Sequence, residues 1–271
     1  MPVDTIDIYD PDIYVPGVPH EIFEELRRTQ PVYWQEIPGQ AGYWAVLKHA
    51  DLVHVAREPN LFSATEGGVV LEDLPPDRLL THRDMLLAMD PPRHLDYRRP
   101  LAPRFKAKVI AGLEDRIRAI CQAIMVDAAD RRDVEFVHEV TGNLPSQVIG
   151  ELMGLPRADW DYIQRLAEMN TSGQDPDINP DSDSYARGVN DASTSMAKYA
   201  MQFAAKRRLD PPREDLTTLI LESEFGGKFM TDADFGSFFV QLVTAGNDTT
   251  KTMLSSGVLA LLMHPAQLAE V

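Results

Sequence analysis

Three shortages define what this sequence excludes. It has one cysteine, Cys121, so no intramolecular disulfide staples the fold. It has 26 Lys and Arg against 42 Asp and Glu, a net charge of −16. Nucleic-acid binding rests on a clustered cationic surface, and a globally acidic chain repels phosphate. It lacks an apolar run long enough for a membrane span: Phe235 to Asn247 is free of charge, but Asp248 and Lys251 follow, short of the roughly 20 residues a span requires. The chain also opens without the charged-then-apolar pattern of a secretory signal, which together with the lone cysteine leads us to expect a cytoplasmic protein. His-Glu-x-x-His, Gly-rich phosphate loops and a Gly-x-Ser-x-Gly elbow are missing, so hydrolase and nucleotide-enzyme readings lack their minimum parts.

What is present is 271 residues, 44% hydrophobic and 25% charged, enough for one large domain or two small ones. Residues 1–18 lack periodicity and read as an extended surface arm. His20 to Arg28 sets Ile22, Phe23 and Leu26 on one helical face. Val32–Gln35 and Tyr43–Leu47 flank Pro38-Gly39-Gln40-Ala41-Gly42 and predict a hairpin. A helix from Ala50 stops before Pro59. Residues 60–90 read as a long loop carrying apolar Gly67-Gly68-Val69-Val70-Leu71, which favours closure over something greasy. From Asp90-Pro91-Pro92 to Leu209 the pattern is helical, with breaks near 100–103, 131–133, 154–156 and 173–180. Cys121 falls at helical spacing with Ile117, Ile124 and Met125 and reads as a small core residue. The fold class is mainly α with a small β-hairpin or sheet near the N-terminus.

The segment 231–263 is the most informative. Thr231-Asp232-Ala233-Asp234 offers an N-cap hydroxyl and an acid at the third helical position, and His264-Pro265 ends the pattern. A helix of that length, apolar round most of its circumference, runs through a core. Its middle, Thr244-Ala245-Gly246-Asn247-Asp248-Thr249-Thr250, consists largely of poor helix formers. One reading is a helix bend, with Thr hydroxyls bonding back to carbonyls four residues earlier. The other is that Gly246 lets a ligand approach the backbone while Asp248 and Thr249 form an acid–alcohol pair that delivers protons in a dry site.

Ala245-Gly246-Asn247-Asp248-Thr249-Thr250 resembles the oxygen-groove motif of the cytochrome P450 haem-thiolate monooxygenases. A second stretch upstream, Asp90-Pro91-Pro92-Arg93-His94-Leu95-Asp96-Tyr97-Arg98-Arg99, is similar to that family's Asp-Pro-Pro-x-His-x-x-x-Arg-Arg helix. His94 and Arg98, four apart, share one helical face and can present donors to paired carboxylates. Leu101-Ala102-Pro103-Arg104-Phe105, Ile149 to Pro156 and His264-Pro265 agree with the same family.

The resemblance implies a cytochrome P450-like fold as a single domain over 1–271, with residues 60–90 as the substrate-side loop and 231–263 as the central helix. It implies haem b as cofactor, held at the propionates by His94 and Arg98 and approached by Ala245 and Gly246. Asp248 and Thr249 would be catalytic, and Val70, Val240, Val243, Thr244 and Ala245 would line an apolar substrate of the sterol, terpenoid or branched fatty kind. The partners would be O2 and a ferredoxin-type redox protein, the latter steered by a basic stretch from Arg93 to Arg118 in which eight cationic residues face three acidic ones. The family's thiolate cysteine and Glu-x-x-Arg helix have no counterpart here, and the last residues begin a helix without a C-cap. We therefore expect an N-terminal portion of such an enzyme, with the iron ligand beyond Val271. The alternative from another class is a helical ligand-binding remnant of the same fold that performs no oxidation.

Overall fold

The computed structural model describes residues 6–67, 71–74, 76, 79, 82–131, 133–172 and 185–271, with backbone alone for 185–190. It is mostly helical with small antiparallel sheets, as the sequence pattern predicts. The chain divides into two compact units, Met1–Leu95 and Asp96–Val271.

In the first unit, α1 (His20–Thr29) packs its apolar stripe against a hairpin of β1 (Val32–Gln35) and β2 (Tyr43–Val46), paired in antiparallel register with Trp34 opposite Trp44. Leu26, Tyr33 and Ile8 form the buried cluster. Ile8 comes from the segment expected to lie outside as an arm, and the difference has a polar cause. The buried Gln35 side chain accepts from the Ile8 amide at 2.8 Å and donates to Asp7 Oδ1 at 2.8 Å, while the Tyr33 hydroxyl donates to the Ile6 carbonyl. The arm is thereby fastened to β1, and a short 3-10 turn follows at Pro11–Tyr14. α2 (His49–Arg57) completes the regular elements before the long connection. Asp90 closes that connection by accepting from the Ser63 hydroxyl, the Ala64 amide and the Thr65 hydroxyl, which hold its carboxyl below the usual range, the Ser63 bond contributing most.

α3 (Arg93–Arg98) spans the boundary between the units. The second unit continues with α4 (Ala107–Ala111), α5 (Glu114–Ala129), a π-helical segment Phe136–Thr141, α6 (Asn143–Leu152), α7 (Trp160–Thr171), α8 (Tyr185–Arg207) and α9 (Leu216–Glu222). A minimal hairpin, β3 (Glu224–Phe225) and β4 (Lys228–Phe229), precedes α10 (Asp232–Met263) and α11 (Pro265–Leu268). Gly226 and Gly227 form its turn with φ of 60° and 79°, a backbone that side chains resist. Sequence reading passed over this hairpin, although Gly-Gly between Phe225 and Lys228 is its signal.

α10 is a rod of about 48 Å at 1.5 Å per residue. Its start is a full capping box: Asp234 N donates to Thr231 Oγ1 at 3.1 Å, and Thr231 N to Asp234 Oδ2 at 2.9 Å. Phe235, Phe238, Phe239, Val240 and Val243 are buried against α6, α7 and α8. Gly236 permits the close crossing with α8, because a Cβ there would sit 3.0 Å from the Ala197 carbonyl oxygen. Beyond the motif the helix is exposed, with Met253, Leu259, Leu262 and Met263 each at least 60% open. Running through the core thus describes the first half alone.

Cys121 also differs from expectation. The buried residues of α5 are Ile120 and Ile124, packed with Val140, while Cys121 is half-buried and Met125 is exposed. The stripe that meets α6 runs one residue earlier than the sequence spacing suggested.

Candidate functional site

The motif falls where α10 passes from buried to exposed. Successive residues turn about 100° around a helix, so its members face different surroundings. Ala245 and Thr249, one turn apart, are both exposed. The Thr249 hydroxyl donates to the Ala245 carbonyl at 3.0 Å. That is the back-bond a bending role calls for, yet α10 continues without interruption through 245–250.

Asn247 points the other way. It is 7% exposed, and its Oδ1 accepts from the buried Ser146 hydroxyl of α6 at 2.8 Å. This bond fixes the rotation of α10 at the motif. Gly246 faces α6 as well: a Cβ there would meet Ile149 at 3.8 Å, ordinary contact. Packing therefore leaves room for a methyl group, and Ala245 rather than Gly246 belongs to the open face. Asp248 lies between the two sides, its carboxylate 3.8 Å from the Lys251 ammonium, which is largely buried. Acid and alcohol are adjacent in sequence but engaged with different partners.

Three proposed substrate contacts change on this geometry. Val240 and Val243 are buried on the side of α10 opposite Ala245, wedged among neighbouring helices, and present no surface to a ligand. Thr244 has its hydroxyl tied to Asn170 Nδ2 at 3.0 Å, and Asn170 in turn accepts from Ser193. Val70 lies outside the described residues. A helical wheel started from Ala245 nominates Gln241, Leu242 and Thr252 for its face instead.

His94 and Arg98 both lie on α3, one turn apart. Neither side chain has a hydrogen-bond or ion-pair partner among the described residues, which leaves two donors on one short helix free for carboxylates. Their neighbour Arg93 is spent on Asp84 at 2.7 Å. Within the first unit His94 also borders an open cavity of about 660 Å³ with Val55, Phe62, Leu86 and Met89. A haem requires donors for its propionates, and His94 and Arg98 fit that demand. Among the described residues no group of three or more His, Cys, Asp or Glu side chains gathers to hold a metal ion. No described helix is long and apolar enough to cross a membrane.

The basic stretch is thinned by pairing. Arg116 binds Glu151 at 2.8 Å and Arg118 binds Glu114 at 2.8 Å. Arg98, Arg99, Arg104, Lys106 and Lys108 stay exposed.

No protein-family model matches the chain. It is 33% identical over 273 residues to a steroid C26-monooxygenase of Mycolicibacterium smegmatis, covering 96% of this chain and 62% of that protein. It is 32% identical over 255 residues to a methyl-branched lipid omega-hydroxylase of Mycobacterium tuberculosis, covering 90% and 58%. The chain thus spans about three fifths of the length of these curated relatives. Its structure matches that of a Mycobacterium marinum cytochrome P450 solved with pseudoionone, at a TM-score of 0.83 and 29% identity, over 98% of this chain and 67% of the other.

Proposed function

We propose a function from one premise: this chain belongs to the cytochrome P450 family. It supplies the oxygen-side helix and the propionate donors of a haem monooxygenase whose substrate is an apolar sterol or branched lipid. The observation that carries this reading is the open, small-residue face of α10, where Ala245 and Thr249 stand exposed in the middle of an otherwise apolar helix. The relatives named for a steroid and for a methyl-branched lipid support the substrate class.

Haem, when bound, supplies the oxygen chemistry: one atom of O2 enters a C–H bond and the other leaves as water, consuming two electrons and two protons. The chain's residues then have separate duties. His94 and Arg98 hold the propionates. Ala245 keeps the helix face flat. Thr249 can turn its hydroxyl from the Ala245 carbonyl toward the reacting oxygen, and Asp248 replenishes the proton. Arg98 excepted, the cations that remain exposed near α3 and α4 attract an acidic ferredoxin-type donor. Residues 1–271 belong to a single domain in this proposal.

The test is haem retention. Replacing His94 and Arg98 with alanine together is expected to lower haem occupancy after dialysis, and unchanged occupancy refutes the assignment. For the electron donor, reversing Lys106 and Lys108 to glutamate is expected to slow reduction and flatten its decline with rising salt. Reduction rates indifferent to both salt and charge reversal would remove the ferredoxin.

A further inference from the structure

We propose that the C-terminal end of α8 carries a second binding site, for a small flat carboxylate monoanion, which shares no residue with the open face of α10. This site stands apart from the monooxygenase reading above. Tyr199, Phe203 and Lys206 follow one another at four- and three-residue spacing and so share one face of α8. With Gly154, Leu155 and Pro156 they border a cavity of about 390 Å³. That volume falls in the range of small-molecule pockets, which combine apolar walls with a few fixed polar groups.

The walls suit a planar apolar body. The Tyr199 and Phe203 rings lie within 10° of parallel, with centroids 6.1 Å apart, and a flat ligand can lie along both. The Tyr199 hydroxyl is already spent, donating to Asp159 Oδ2 at 2.7 Å. Burial, with this bond beside it, pushes the phenol well above its ordinary value, so it stays neutral. Tyr199 therefore offers its ring.

Arg207 makes the demand for an anion. Its side chain is 3% exposed, and Nη2 alone is served, by Asp215 at 2.9 Å and the Thr218 hydroxyl at 2.8 Å. Nε and Nη1 are buried without an acceptor among the described residues. A cation in the last turn of a helix, with its ion pair, accounts for one nitrogen and leaves two donors open. Nη1 reaches the floor of the cavity: a Cβ on Gly154, which borders it, would sit 3.0 Å away. A carboxylate is the acceptor that matches a guanidinium best among singly charged groups.

The neighbouring charges set the ligand's valence. Asp215 neutralises Arg207, and Asp210 accepts from Arg213 at 3.2 Å. Lys206, exposed on the border, has no ion pair among the described residues and is the cation left over. Asp159 and Asp210 border the same cavity and oppose a second negative charge. A monoanion fits, whereas a phosphate dianion meets both carboxylates.

The test is titration of the 271-residue chain with naphthoate, followed through the Arg207 Nε–H resonance. Saturable binding that shifts this resonance is expected. The uncharged naphthalenemethanol is expected to bind about tenfold more weakly or worse, because it cannot give Arg207 a charged acceptor. Naphthyl phosphate is expected to bind more weakly than naphthoate. Two exposed positions on the border supply variants that keep the fold. Lys206→Ala is expected to weaken naphthoate by about twofold to fivefold, and Gln202→Trp, whose indole fills the cavity, to abolish binding, with urea unfolding of both near the parent's. Absence of saturable binding overturns the site and leaves Arg207 to water. Equal affinity for the alcohol reduces the site to an apolar slot, and tighter binding of the phosphate makes it a dianion site. Indifference to Gln202→Trp puts the ligand elsewhere, and each of these results overturns the proposal. None of the titrations involves haem, so this site and the family function fail separately.

Discussion

The two halves of α10 are both apolar and meet opposite surroundings. From Phe235 to Val243 the helix buries its aromatic and branched side chains against α6, α7 and α8; from Met253 to Met263 comparable side chains stand open. Hydrophobicity declares a preference for burial but does not supply the partner. The motif occupies the changeover, where one turn of helix has Asn247 bonded to α6 and Ala245 exposed. Polar chemistry at that point is possible because one side is locked and the other is free.

The strongest way to break the comparison is paired truncation. Phe239→Ala, at a fully buried position, is expected to cost about 3–5 kcal/mol in urea unfolding. Leu262→Ala, on the exposed half, is expected to change stability by about 0.5 kcal/mol or less. Similar costs would mean that the second half is as well packed as the first.

Ser146→Ala probes the changeover itself. It strands the buried Asn247 amide oxygen, and the expected loss is about 1–3 kcal/mol. Faster hydrogen exchange at 245–250 than at 235–240 in the variant would show that this bond sets the motif's rotation. Thr231→Ala, which removes half the capping box, is expected to cost about 1 kcal/mol and to fray the buried half from its start.

The smallest effect lies outside the helix and serves as its control. Asp90 has a lowered carboxyl, so its contribution is present above the usual carboxylate range and is lost as pH falls through the folded value. Limited proteolysis near Ser63 is expected to rise at low pH in the parent. In Asp90→Asn it should already be raised at neutral pH and nearly independent of acid.

These contrasts also explain what the sequence could reveal. Local rules were legible: the capping box from Thr231 and Asp234, the first hairpin from Pro38-Gly39 between β-rich runs, and the four-residue spacing of His94 and Arg98. Direction was not. The resemblance puts Val240 and Val243 on a pocket wall, but a wall needs a face, and the face follows from which helices surround α10. Cys121 and Ile120 differ by one position in a continuous apolar pattern, and only the packing of α5 on α6 decides between them. The Ser146–Asn247 bond joins residues 101 apart, and no local signal announces it.

The most direct test of the account is the ratio of product to peroxide in the haem-loaded enzyme carrying Thr249→Ala, measured together with substrate affinity and thermal stability. If Thr249 works from the open face, product per peroxide falls while affinity and stability stay near the parent's. If its hydroxyl serves only to bend α10 through the Ala245 carbonyl, the ratio stays at the parental value while affinity and stability shift, and that result would contradict the account.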